Sequence, residues 1–217
     1  MSDIRVKICG LTTPEAVSAA VSAGAAYLGF NFFAKSPRYV SPQQAAVLAG
    51  NVAPGVAKVA LTVNADDAFL EQIFEQMPLD MFQLHGHESQ ERVEHIRQKF
   101  GLPVIKVVGV SDAEDLPKLQ EFGRVADMLL VDAKPPKDAI LPGGNGLTFD
   151  WRLIAGRRWP VPWMLAGGLT PANVAQAIRA TGARQVDVAS GVESAPGVKD
   201  AGLIRNFVTA ANSALDP

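Results

Sequence analysis

Short apolar runs alternate with amphipathic stretches from one end of the chain to the other, and this alternation is what most constrains the fold. The runs "IRVKIC" (4–9), "YLGFNF" (27–32), "AKVALTV" (57–63), "MFQL" (81–84), "VIKVV" (104–108), "MLLV" (128–131), "WMLA" (163–166) and "QVDVA" (185–189) read as strands. A helical candidate follows each one. Thr12-Thr13-Pro14-Glu15 supplies a cap, a first-turn proline and an acid for the helix dipole. Ser41-Pro42-Gln43-Gln44 has the form of a capping box. A fourth helix over about 89–100 stops at Gly101, and a last one runs over about 200–215. Strands alternating with helices imply a parallel sheet with right-handed crossovers.

Eight strand–helix units in 217 residues predict one closed (β/α)8 barrel domain over 1–217, close to the lower size limit of about 200 residues for that fold. An open doubly wound sheet is the alternative, and its dinucleotide fingerprint should follow the first strand. "CGLTTP" stands there instead. Units one and seven also echo each other, "GLTTPEAVSAAVSAGA" against "GLTPANVAQAIRATGA", as a fold of repeated units would. With 48% hydrophobic and 19% charged residues the composition is that of a globular protein. A net charge of −2 with scattered basic residues leaves no footprint of nucleic-acid or membrane binding. "MSDIRVKICG" lacks a signal peptide's apolar core and no run is long enough to span a bilayer, while the one cysteine suits a reducing compartment. A cytoplasmic location is expected.

In such a barrel the active site lies at the C-terminal ends of the strands. Cys9, His85, Asp132, Gly167-Gly168 and Ser190-Gly191 all follow or end strands on that rim. The strand period of two puts Lys7 and Cys9 on one face, Leu130 and Asp132 on another, and Asp187 and Ala189 on a third. Closure makes the first and last strands neighbours, so inward Lys7 and Asp187 are expected to pair and to bias Cys9 toward thiolate. A single cysteine alone reads as a small buried hydrophobe. Asp132 would ordinarily be a helix cap, yet no helix can begin before about Asp150. The Pro- and Gly-rich loop between them has the length of a functional loop. "LAGGLTP" and "VASGVES" occupy the usual phosphate loops, so a phosphorylated ligand is expected. His85 and His87 form an H-x-H pair without an obvious third ligand, and no metal is assigned; His85 reads instead as a substrate contact. Arg38, in "KSPRYV", could grip a carboxylate bidentately.

"KICGLT", "KSPRYV", "QLHG", "LLVDAK", "PGGNG", "LAGGLTP" and "VDVASGVE", in this order, resemble the phosphoribosylanthranilate isomerase family of tryptophan biosynthesis. The likeness runs from the first strand through the last, with one departure at Asn145, where many relatives carry threonine. The resemblance implies an aldose–ketose isomerase acting on N-(5-phosphoribosyl)anthranilate, a monomer or homodimer, with Cys9 as general base and Asp132 as general acid. Ring opening needs a proton on the ribose oxygen, a task for a carboxyl group whose pKa the site raises. The protonated imine so formed acidifies the hydrogen on C2, which a thiolate can remove. The substrate nitrogen is the electron sink, so the implied chemistry uses no pyridoxal, metal or nucleotide. Rival readings are another phosphosugar barrel enzyme of epimerase or synthase type, or a phosphosugar-binding protein without activity. The epimerase wants paired acids, the synthase a lysine, and a binding protein leaves Cys9 with Asp132 unexplained.

Overall fold

The computed structural model describes residues 4–50, 52, 54–134, 143–144 and 146–215. Eight parallel strands close in chain order into a barrel. They are β1 (Arg5–Cys9), β2 (Tyr27–Asn31), β3 (Ala57–Thr62), β4 (Met81–Leu84), β5 (Val104–Val110), β6 (Met128–Ala133), β7 (Trp163–Leu165) and β8 (Gln185–Val188). The seam is the β1–β8 ladder, which sets Lys7 opposite Asp187 and Ile8 opposite Val188. Around the barrel lie α1 (Pro14–Ala23), α2 (Pro42–Gly50), α3 (Asp67–Gln76), α4 (Gln90–Phe100), α5 (Leu116–Phe122), α6 (Val174–Thr181) and α7 (Ala201–Asn212).

The helix starts follow their local chemistry. Thr13 accepts the amide of Ala16 at 3.2 Å. Ser41 and Gln44 exchange side-chain and backbone bonds at 3.2 and 2.8 Å, the reciprocal capping box. Ser89 caps α4, Gly101 ends it at φ 62°, and Asp200 caps α7. Alternation along the strands then divides the core in two. Ile8, Leu28, Phe30, Phe82 and Leu129 face the helices, while Val59, Ile105, Leu130 and Met164 fill the barrel interior. Phe30 and Phe82 are fully buried, each contributing about 1.5–3 kcal/mol by leaving water. Below them Tyr27 donates to Gln185 Oε1 at 2.6 Å, with the Arg5 guanidinium 4.6 Å from its ring centre.

Two departures from the sequence expectation concern the loops. Unit six has no α-helix among its described residues: a single 3-10 turn, Trp151–Leu153, starts where Asp150 accepts the amide of Arg152 at 3.0 Å. Aspartate 150 is thus the cap, and Asp132 is released from that duty. After β8 the chain makes a 3-10 turn, Ser190–Val192, and then a small antiparallel hairpin, β9 (Glu193–Ala195) and β10 (Val198–Lys199). Its Pro196-Gly197 turn, with Gly197 at φ 81°, follows ordinary turn chemistry.

Candidate active site

Two adjoining pockets that share lining residues form a cleft on the C-terminal rim. At one end it is lined by Gly167, Gly168, Ser190 and Gly191; at the other by Cys9, Arg38 and His85. Asp132, Asp187, Gly143 and Ala189 line both ends and so mark the middle. The middle of the cleft therefore carries two carboxylates, with the Cys9 thiol at one end.

The glycine end is built by contact between loops seven and eight. Asn173 folds loop seven, accepting from the amide of Thr170 at 2.8 Å and donating to the carbonyl of Gly168 at 3.0 Å. Gly168 sits at φ 59°, where a side chain would also meet Leu147 and Thr148. A Cβ on Gly191 would stand 1.9 Å from the Leu169 oxygen. Only backbone fits there, which is what close amide approach to an anion requires.

At the centre, Lys7 is fully buried and donates to Asp187 at 2.7 Å, across the barrel seam. Gly29 of β2 leaves room for this: a Cβ there would lie 3.0 Å from Cys9 Sγ and 3.2 Å from Lys7 Nζ. The expected pull toward thiolate does not win at Cys9. Burial pushes its thiol above the ordinary range; Lys7 and Lys199 draw it down, and Asp187 opposes them. Desolvation outweighs the cations' attraction in the empty site, so on balance the thiol is raised while Lys7 and Lys199 pull the other way.

Asp132 Oδ1 accepts the amide of Ala133 at 2.8 Å, which fixes the carboxyl at the strand end. Its Oδ2 lies 3.5 Å from His85 Nε2, without hydrogen-bond geometry between them. His85 Nδ1 lies 3.4 Å from Gln83 Nε2. Loop four is held from beneath by Glu88, which accepts from the amides of Gly86 and Asn64 at 3.0 and 2.9 Å and from Lys106 at 2.8 Å. Burial alone would raise the Glu88 carboxyl, but Lys106 and the backbone amides of Asn64 and Glu88 hold it below its usual range. His87 points away: its backbone amide donates to Asn64 Oδ1 and its side chain is exposed, so it does not join His85.

Arg38 differs most from its sequence reading. Its Nε and Nη2 donate to Glu193 at 2.7 and 2.9 Å, so one edge of the guanidinium is already bidentately occupied by the protein's own carboxylate. Nη2 also lies 3.5 Å from the Gly144 oxygen. What remains for a ligand is the Nη1 end. Loop two presents the arginine through Ser36, whose Oγ accepts the Arg38 amide at 3.1 Å and an Asn31 Nδ2 hydrogen at 3.2 Å. Asn145 and most of the loop over 133–148 lie outside the described residues.

A family model described as N-(5'-phosphoribosyl)anthranilate (PRA) isomerase matches residues 6–210. The chain belongs to the N-(5'-phosphoribosyl)anthranilate isomerase family. A family member from Cereibacter sphaeroides is 62% identical, covering 97% of this chain and all of its own length; one from Paracoccus denitrificans is 60% identical, covering 97% and 98%. The phosphoribosyl anthranilate isomerase of Thermotoga maritima superposes with a TM-score of 0.87 at 37% identity, covering 96% of this chain and 98% of its own. A family structure in complex with reduced 1-(o-carboxyphenylamino)-1-deoxyribulose 5-phosphate superposes at 0.84, at 35% identity and the same coverage.

Against this family background, the rim brings together Cys9, Asp132, Arg38, His85, Lys7, Asp187 and the four loop residues read from the sequence. It also holds groups that reading missed: Glu193, Lys199, Asn31 and the Glu88–Lys106 pair. The "APG" turn signal predicts a bend near 195–197, but nothing local tells that Glu193 will meet an arginine 155 residues earlier.

Proposed function

We propose that Cys9 and Asp132 divide the acid–base work of the reaction this chain catalyses. That reaction is the Amadori rearrangement of N-(5'-phosphoribosyl)anthranilate to 1-(2-carboxyphenylamino)-1-deoxyribulose 5-phosphate, a step of L-tryptophan biosynthesis. The observation that carries the assignment is their common cleft: Asp132 and Cys9 both line it, with the glycine loops at one end and Arg38 at the other.

With the phosphate on the amides of Gly168 and Gly191 and the anthranilate carboxylate on Arg38 Nη1, the ribose C1 and C2 lie between the two groups. Asp132 gives its proton to the ring oxygen as the C1–O bond breaks, and the nitrogen lone pair forms a protonated imine at C1. Cys9 thiolate then takes the C2 proton, and the C2–H electrons flow into the imine to leave an enolamine. Cys9 returns a proton to C1 while the C2 hydroxyl loses its proton, which restores the Asp132 acid, and the aminoketose results. His85 borders the Asp132 carboxyl and helps orient the substrate's hydroxyl groups. Lys7, paired with Asp187, supports the thiol from below. The substrate is thus a small phosphorylated molecule. No helix among the described residues is long and apolar enough to cross a membrane. A cytoplasmic monomer or homodimer fits this reading, and sedimentation velocity separates the two states.

The test is turnover of phosphoribosylanthranilate, followed by loss of its fluorescence. Cys9→Ala and Asp132→Asn should each lose about 10²–10⁴-fold in kcat while still binding a product analogue. Wild-type turnover in either variant returns that residue to a packing role.

A further inference from the structure

The hairpin after β8 carries charges for which the acid–base pair alone gives no reason. Glu193 is buried and shared: Arg38 grips both its oxygens, and Lys199 donates to Oε1 at 2.6 Å. Lys199 Nζ is fully buried and also donates to the carbonyl of Ala189 at 2.9 Å. Ala189 follows β8 directly, and the β1–β8 register, which sets Ile8 opposite Val188, carries it alongside Cys9. The hairpin is fastened in that position. Gly197 donates to Glu193 at 3.2 Å and accepts from Thr12 at 3.4 Å, and a Cβ on Gly197 would stand 2.5 Å from the Pro37 oxygen.

The groups facing the Cys9 end of the cleft come from every side of the rim: Lys7 on β1, Asp187 on β8, Lys199 on β10, Arg38 after β2, His85 after β4 and Asp132 on β6. Lys7 is matched by Asp187. Arg38 and Lys199 share the single carboxylate of Glu193, and the other carboxylate at this end, Asp132, approaches His85 and not these two cations, so neither has a counter-ion of its own. Buried charge without a counter-ion is costly, and a thiolate at Cys9 would supply that counter-ion. Lys199 also lowers the Cys9 thiol against the larger opposing effect of burial.

We propose that Lys199, held by Glu193 on the β9–β10 hairpin, is a positioning residue whose ammonium draws Cys9 toward the thiolate needed for proton abstraction, while Glu193 sustains that ammonium against burial and aims Arg38. Its catalytic consequence rests on the reading of Cys9 as the base; the electrostatic link itself does not.

Cys9 is the sole cysteine, so the pH profile of alkylation of the unliganded enzyme by iodoacetamide titrates this thiol alone. Lys199→Met should move the midpoint upward and slow alkylation near neutral pH by about tenfold, one pKa unit. Lys199→Arg should restore most of the rate. Glu193→Gln should move the midpoint the same way, because it removes the anion that sustains the Lys199 ammonium, and should raise KM through Arg38. A purely structural role predicts the opposite pattern: both Lys199→Met and Glu193→Gln would loosen the rim, admit water and speed alkylation together. Upward shifts in both variants support the proposal; an unchanged or lowered midpoint in either overturns it. If Lys199→Met does not fold, an unchanged or lowered midpoint in Glu193→Gln overturns it equally. A shifted titration combined with full turnover in Cys9→Ala would sink the base assignment and leave the charge coupling standing.

Discussion

Replacing Gly191 by alanine isolates the phosphate end of the cleft from the chemistry at its centre. The new Cβ would lie 1.9 Å from the Leu169 oxygen, where ordinary contact begins at 3.4 Å, so loops seven and eight must part by about 1.5 Å. Gly191 is not in the left-handed region, so alanine adds no backbone strain and the clash alone is tested. A displacement of that size takes an amide–phosphate bond from its normal length of about 2.9 Å to beyond 4 Å, where it no longer counts as a hydrogen bond. Losing two charge-assisted bonds at about 1.5 kcal/mol or more each weakens binding by about 3 kcal/mol, which is about a hundredfold in KM. The Cys9 end is untouched, so kcat should fall far less than KM rises. Steady-state fluorescence gives both constants, and calorimetry with a reduced product analogue gives Kd. Both KM and Kd staying within about twofold of wild type would refute the phosphate assignment, since the phosphate would then be held elsewhere.

Substrate deuterated at C2 should show a larger primary isotope effect in Cys9→Ser than in Asp132→Asn. A weakened base makes C–H cleavage limiting, whereas a missing acid stalls the earlier ring opening. Arg38→Ala should weaken binding of a carboxylated product analogue by about 1.5–3 kcal/mol relative to the same analogue without the carboxylate; equal losses for both would remove Arg38 from carboxylate recognition. Asp115, beneath the start of loop six, is buried; burial would raise its carboxyl, yet Lys134, the Ser111 amide and Lys118 hold it well below the ordinary range. A depressed folded pKa stabilises above the unfolded value of about 3.9 and is lost as pH falls through the folded value. Asp115→Asn should therefore lower Tm at neutral pH, with the deficit closing in acid; a deficit independent of pH would contradict this.

How much the chain declares in advance depends on whether the cause is local. The eight strands, the Thr13, Ser41, Ser89 and Asp200 helix starts and the inward faces of β1, β6 and β8 all follow from a period of two and from caps a few residues away. The Lys7–Asp187 pair was legible too, although 180 residues separate them, because closing a barrel in chain order makes the first and last strands neighbours. The sequence likewise marked Cys9, Asp132 and both glycine loops, since all of them end strands on one rim.

Only the tertiary structure decided the electrostatics. Whether Cys9 rests as thiol or thiolate depends on a contest between burial and two lysines, and burial is a property of the packed barrel, not of "KICG". Arg38 looks like a free carboxylate grip in "KSPRYV" until a hairpin far along the chain brings Glu193 onto one edge of it. Loop-to-loop contacts of this kind have no period and no cap to announce them. They exist because barrel closure gathers eight loop ends into one ring, and low-dielectric burial then makes every charge gathered there act on its neighbours.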